Sequence, residues 1–372
     1  MIRILHSVSN MDRAGIETML MNYYRHIDRE KIQFDFICNK RKPGAYDDEI
    51  HSMGGKIYHS PGLNPAKYFK YMSFMKKLLT EHPEYKIVHA HNGAFGVYAL
   101  HGAKLAGVPI RIFHAHGASI TRDWKLPLKL ICKSRLNVNM NMHWSCGIEA
   151  AKCYFGENVV KNNDYLLIHN AIEVDRFAFN AKVRADMRRR YKLEDKLVIG
   201  HVGRFMAQKN HKKQLEIFSE IKKREASAVL VLLGDGELEA EMKQYADKLG
   251  IKNSVMFMGN VANVNEWYQA FDAFVLPSVW EGLPVVGVEA QTADLPCIFS
   301  ANVTKEIAVT PNADFIGIDR SASEWAELIL KKANKKQRTD RRDDIRKAGY
   351  DIEIEAKKMQ DKYMEIIKEC SL

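Results

Sequence analysis

The sequence predicts an α/β protein of two doubly wound, Rossmann-like domains, each a parallel sheet with helices on both faces. Three observations predict it. Short β-rich apolar runs alternate with longer helical patterns from end to end. The pattern restarts near residue 196 after the polar stretch FNAKVRADMRRRYKLEDK. The length, 372 residues, is about twice that of a typical single domain. A hydrophobic share of 46% and a charged share of 27% suit a globular chain with sizeable cores.

In the first half the expected strands are 2–8, 33–37, 86–91, 109–114, 140–145 and 165–169. In the second half they are 196–202, 228–233, 255–258, 273–276, 296–299 and 314–318. Helical stripes appear between them. Leu215, Phe218 and Ile221 recur at spacings of three, and Leu238, Met242, Tyr245 and Leu249 at four, three and four. A linker is expected around 175–190. The domains are expected at 1–176 and 177–354, with a last helix, 355–372, completing the first.

Charge is uneven. Residues 1–180 hold 24 Lys+Arg and 16 Asp+Glu, net +8, while the whole chain is +10. The first half should therefore meet something anionic: nucleic acid, a membrane surface or a phosphate-bearing substrate. Two segments interleave lysines with aromatics, PAKYFKYMSFMKKLL (65–79) and RDWKLPLKLICKSRL (122–136), a pattern suited to an anionic membrane interface. No apolar run reaches the length of a membrane span. The start lacks the apolar core of a secretory signal, and the six cysteines have neither metal-ligand nor disulfide-framework spacing. A reduced, cytoplasmic chain is expected, peripheral on the inner membrane face at most.

Two strand-to-helix turns can receive an anion on backbone N–H groups: SNMDRAGIE after the first strand and GRFMAQKN after the first strand of the second domain. The second adds Gly203, Arg204 and Lys209, a fork and a point charge suited to a diphosphate. Segment 277–291, PSVWEGLPVVGVEAQ, follows the strand AFVL. Gly282 and Pro284 suit a tight turn into a helix, leaving N–H groups near Gly282 and Leu283 for a phosphate. Glu281 and Glu289 stand eight apart; on one helix that is about 80° beyond two turns, so both could border one cleft. Carboxylates are natural acceptors for vicinal sugar hydroxyls.

Segment 277–291 resembles the E-x7-E signature of family 4 glycosyltransferases, which have the GT-B fold of two Rossmann-like domains facing across a cleft. The glycine loop at 10–17, VHAHNG (88–93), HAHG (114–117), IHNAIEVDRF (168–177), VGRFMAQKNH (202–211) and LLGDGEL (232–238) match in the same order. Within the family the chain most resembles bacterial enzymes extending exopolysaccharide or capsule repeat units. The resemblance implies that Glu289 binds the nucleotide ribose and Glu281 the transferred hexose, with Arg204 and Lys209 holding the donor diphosphate. It also implies that Gly15 lets the first loop approach that phosphate, and that His116 contacts the donor sugar, with His114 the competing position. Transfer would retain the anomeric configuration. No D-x-D triplet occurs, so no metal and no cofactor is expected beyond the nucleotide-sugar substrate. The expected acceptor is a glycan or a polyprenyl-diphosphate-linked sugar, and the resemblance implies that the first domain, 1–176, binds it while the second, 177–354, binds the nucleotide sugar.

Relatives usually carry two glycines where this chain has Ala14-Gly15, and Gly where it has Asp294. Two other readings keep the fold: a nucleotide-sugar epimerase and a catalytically inactive nucleotide-sugar-binding partner. Nucleic-acid binding would leave the glutamate segment unexplained.

Overall fold

The computed structural model describes residues 1–120, 123–333 and 337–370. Outside it lie position 122 of the second basic segment, positions 334–336 and the last two residues of the expected terminal helix. The chain forms two compact units, residues 1–171 with 352 onward, and Ile172–Asp351. The expected boundaries, 176/177 and 354/355, lie a few residues further along. Ile172 and Val174 are buried in the second unit's core, and the Ile172 N–H donates to the Tyr350 carbonyl at 2.9 Å, which draws 172–176 into that unit.

In the first unit the strands are β1 (Ile2–Val8), β2 (Ile32–Cys38), β3 (Ile57–His59), β4 (Ile87–Ala90), β5 (Ile110–Ala115), β6 (Met142–Ser145) and β7 (Leu166–Leu167). All run parallel in the order β3-β2-β1-β4-β5-β6-β7. Both faces are covered, so central strands such as β2 are buried along their whole length. One face packs Tyr23, Tyr24 and Phe34 against Tyr363 and Met359 of the helix Ile352–Glu369, which thereby belongs to the first unit. The other face packs Leu100 and Phe113 against Tyr71 and Met75. Strand β3 was not foreseen, because three residues are too few to show a period.

In the second unit the strands are β8 (Val198–Val202), β9 (Val229–Leu233), β10 (Val255–Phe257), β11 (Ala273–Leu276), β12 (Cys297–Ser300) and β13 (Ala313–Ile316). They run parallel in the order β10-β9-β8-β11-β12-β13. Leu215, Phe218 and Ile221 are fully buried, as their spacing predicts. The expected linker is not one: 175–190 forms the helices Val174–Phe177 and Ala181–Arg190. Asn180 caps the second, and Arg184 and Arg188 clamp the Asp272 carboxylate at 2.5 and 3.0 Å. Charge that reads as solvated in the sequence is here an ion network.

Each sheet reverses its strand order once, between β1 and β4 and between β8 and β11. Loops leaving such a switch point diverge and open a crevice at the carboxyl edge, where ligands bind in open α/β sheets. All six cysteines are free thiols, and no described helix is long and apolar enough to cross a membrane.

Candidate functional site

In the second unit, three loops meet at the carboxyl edge beside the switch point. The loop after β8 carries Gly203, Arg204 and Lys209; the loop after β11 carries Glu281, Gly282 and Leu283; the glycine loop after β9 supports the first. Phe205 N–H donates to the Asp235 carbonyl at 2.7 Å, and a Cβ on Gly234 or Gly236 would fall within 2.5 Å of the 203–205 backbone. Only glycine allows that approach. At Gly203 an added Cβ would press on Lys209 Cδ and Cε at 3.2 and 3.3 Å, so this glycine leaves room for the lysine stem.

Lys209 and Glu281 form an ion pair at 2.7 Å with 15% and 8% of their side-chain surfaces exposed. Ser278 Oγ donates to the same carboxylate at 2.8 Å and Gln208 Nε2 at 3.0 Å. The helix begins only at Val285, so Glu281 lies in the loop and the expected placement of both glutamates on one helix is corrected. Pro284 fixes the helix start four residues later than that geometry assumed. The N–H groups of Gly282 and Leu283 make no hydrogen bond among the described residues. Arg204 is exposed and has no ion pair among the described residues.

Glu289 lies within the helix Val285–Thr292, and Tyr268 Oη donates to its Oε2 at 2.9 Å. Burial pushes its carboxyl up to about 7, against the Tyr268 hydrogen bond and the more distant Arg176. Tyr268 is 21 residues away in sequence and no local pattern flags it. Gly287, between the glutamates, lets the helix press against Phe299, since a Cβ there would meet that ring at 3.0 Å and Ile307 at 2.4 Å.

In the first unit, Gly15 opens the helix Gly15–His26 at the end of the β1 loop, and an added Cβ would meet nothing within 4 Å. His116 stands just beyond β5 and is partly exposed, whereas His114 is fully buried inside it. The two are therefore not interchangeable. His116 ends a chain of buried imidazoles: His6 Nδ1 to His91 Nε2 at 3.0 Å, then His91 Nδ1 to His116 Nε2 at 2.8 Å. Burial lowers the basicity of all of them, His6 and His116 to about 3, so they are neutral at pH 7. His6 Nε2 has no partner, and a bare lone pair there costs less than an orphaned N–H. The chain thus runs outward as donors, leaving the His116 proton on Nδ1. Two overlapping triplets, His6–His89–His91 and His91–His114–His116, bring a nitrogen from each residue within 4.8 Å of the others and could hold a metal ion. The grouping was not foreseen; histidine at alternate positions of VHAH and HAH is its visible signal in the sequence.

Residues 183–351 match the family model "Glycosyl transferases group 1", and residues 13–176 match "Glycosyltransferase Family 4". EpsF of Bacillus subtilis (strain 168), a glycosyltransferase by name, is 35% identical over 358 residues, covering 94% of this chain and 93% of its own. The chain is a family 4 glycosyltransferase. This glycosyltransferase is also similar to the Escherichia coli UDP-Gal:alpha-D-GlcNAc-diphosphoundecaprenol alpha-1,3-galactosyltransferase, 27% identical over 80% of the chain and 79% of the relative. The Staphylococcus aureus capsular polysaccharide biosynthesis glycosyltransferase CapH is 24% identical over 98% of the chain and 99% of its own. Among solved structures, Anabaena Alr3699/HepE in complex with UDP-glucose superposes with a TM-score of 0.80 at 16% identity, covering 98% of this chain and 100% of that one. That likeness is one of fold, GT-B.

The family 4 glycosyltransferase departs from the usual glycine at Asp294, and the structure shows how. Asp294 has φ +54, the left-handed region that favours glycine. Its buried carboxylate is held by Arg341 Nε at 2.7 Å, the Thr339 N–H at 2.6 Å and Asn312. Aspartate is among the few residues that tolerate this backbone, and here its side chain is fully engaged.

Proposed function

We propose that this enzyme transfers a hexosyl unit, with retention, from a nucleotide-diphosphate sugar to a lipid-linked glycan acceptor during exopolysaccharide or capsule synthesis. One observation carries the donor half: beside the β8/β11 switch point the loop after β8, with Arg204 and Lys209, meets the loop after β11, where Glu281 pairs with Lys209 at 2.7 Å, and that second loop runs into the helix that carries Glu289. Arg204 and the free N–H groups of Gly282 and Leu283 receive the diphosphate, joined by Lys209 when the donor draws it from Glu281. Glu281 then accepts from hexose hydroxyls and Glu289 from ribose hydroxyls. Charge stabilisation of the departing nucleotide comes from these cations and N–H groups, without a metal. His116, proton on Nδ1, donates to the sugar being moved. The names of EpsF, CapH and the diphosphoundecaprenol galactosyltransferase, and the UDP-glucose bound to HepE, support this reading.

Peripheral contact with an anionic membrane on the cytoplasmic side belongs to the same proposal. The structure narrows it, because Tyr71 and Met75 of the first segment are core residues while Phe69 and Trp124 are 85% and 87% exposed. A thermal-shift screen against UDP-, GDP- and ADP-sugars tests the donor half, since a ligand that binds only the folded state raises the midpoint. A rise with one donor class is expected; no rise with any of them refutes it.

Two further results are expected. Gly15→Ala should leave the melting temperature unchanged, because nothing in the protein opposes the added methyl, yet lower turnover at least tenfold by keeping the loop off the phosphate. A variant with normal turnover removes Gly15 from the site. Donor binding should also depend on pH through Glu289. Burial favours its acid form, so its share of stability is complete below about 4.5 and is lost as pH rises through about 7. The donor needs the carboxylate, so its dissociation constant should rise about tenfold from pH 7.5 to 6. Isothermal titration should show that slope in the wild type and none in Glu289→Gln.

A further inference from the structure

Five histidines gather on one face of the first unit's sheet, because alternate residues of a strand share a face. His6 lies on β1, His89 on β4 with His91 just beyond it, and His114 on β5 with His116 just beyond it. His6 and His89 are partners in the β1–β4 register. Neighbouring rings along the series lie 4.0 to 5.3 Å apart. The proposed transfer uses His116 alone, and the other four are buried.

Two contacts hold the His116 ring. His114 stacks on it at 4.0 Å and 29°, which sets its plane. His91 Nδ1 meets its Nε2 at 2.8 Å, which sets its rotation within that plane. His91 is itself tied at both ends: its backbone N–H donates to the Ser7 carbonyl at 3.0 Å, and its Nε2 meets His6 Nδ1 at 3.0 Å. The one His116 nitrogen with no hydrogen bond among the described residues is Nδ1.

A neutral imidazole carries one N–H and one lone pair, so the direction of one bond in such a chain sets the direction of the next. The inner end decides which. His6 Nε2 has no partner, and the rings of Phe34 and Phe36 stand 4.2 and 5.7 Å from the His6 ring. A chain pointing inward would strand an N–H in that apolar setting, whereas a chain pointing outward leaves only a lone pair there. The buried end therefore selects the tautomer two rings away. His91 is also common to both triplets that could gather round a metal ion, but both of its nitrogens are already engaged in the chain.

We propose that His91 and His6 are positioning residues that act through His116: their chain locks His116 with its proton on Nδ1, which makes it a hydrogen-bond donor to the moved sugar and bars it from taking the acceptor's proton. The proposal rests on the reading above that His116 contacts that sugar, and deepens it. A donor held in one plane and one tautomer needs no reorganisation as charge develops.

Two measurements on the full chain test it. Histidine labelled with nitrogen-15, read by long-range proton–nitrogen correlation, reports each tautomer in the unaltered protein. His6, His91 and His116 should all carry the proton on Nδ1, with a coupling across the His91–His116 bond; His116 protonated on Nε2 overturns the proposal. The second measurement is a double-mutant cycle. His91→Leu should lower kcat/KM about tenfold or more in the wild type, but by less than about twofold in a His116→Ala background, because its effect passes through His116. Equal losses in both backgrounds make His91 merely structural and overturn it. So does one equivalent of zinc in protein purified without chelator and absent from His91→Leu, since the rings are then ligands. Normal turnover in His116→Ala refutes the sugar contact itself. A reversed chain beside an inactive His116→Ala refutes this proposal alone.

Discussion

Replacing Arg204 by alanine should lower kcat about 100- to 1,000-fold, the usual loss when one preorganised group opposite developing charge is removed. Two features make this a clean probe. The side chain is exposed and has no partner among the described residues, so its loss should change stability by no more than about 0.5 kcal/mol. In the proposed role the group acts on charge that grows as a nucleotide diphosphate departs, so kcat should fall further than KM rises. Arg204→Lys keeps the charge but not the fork, and should recover only part of the rate. Steady-state kinetics with the melting temperature measured alongside decide it. Near-normal kcat in a folded Arg204→Ala variant removes the diphosphate assignment.

At Lys209 the same substitution should do something different. Were Lys209 and Glu281 exposed and unpaired like Arg204, replacing either would cost activity and leave the fold intact. The ion pair changes that. Lys209→Met strands the Glu281 carboxylate, 8% exposed, with Ser278 and Gln208 but no counter-charge. Breaking a buried pair from one side typically costs about 3 kcal/mol, which corresponds to roughly 6–12 °C for a unit of this size. Lys209→Met/Glu281→Gln removes both charges, so it should recover most of that loss while remaining inactive. Additive losses in the double-mutant cycle would show that the two side chains do not interact. The pairing also gives the loop a function before donor arrives. Each charge holds the other in position; in the proposed donor complex a diphosphate and a hexose would take their places as partners.

How much of this was legible from residues varied with the range of the interaction. The α/β class and the strand positions came from runs of apolar residues, because a parallel strand buried on both faces leaves a continuous hydrophobic string. The motif residues came with them, since a strand end, a glycine and a charged side chain are neighbours in the chain as well as in space. The short β3, with three residues, leaves no such trace. The stretch 175–190 reads as a linker by composition, yet it is helical and held to the second unit, where Asp272, more than 80 residues later in the chain, pairs with Arg184 and Arg188.

The chain's order of residues by itself determined the fold class, the family and which side chains carry charge to the strand ends. Tertiary structure alone decided their states: that Glu281 is paired with Lys209, that Glu289 sits against Tyr268 with a carboxyl near neutrality, and that His116 rather than His114 reaches the surface. The physical reason is that ionisation, pairing and exposure depend on distance and on the polarisability of what lies between groups. Those quantities arise only when segments remote in sequence are packed together.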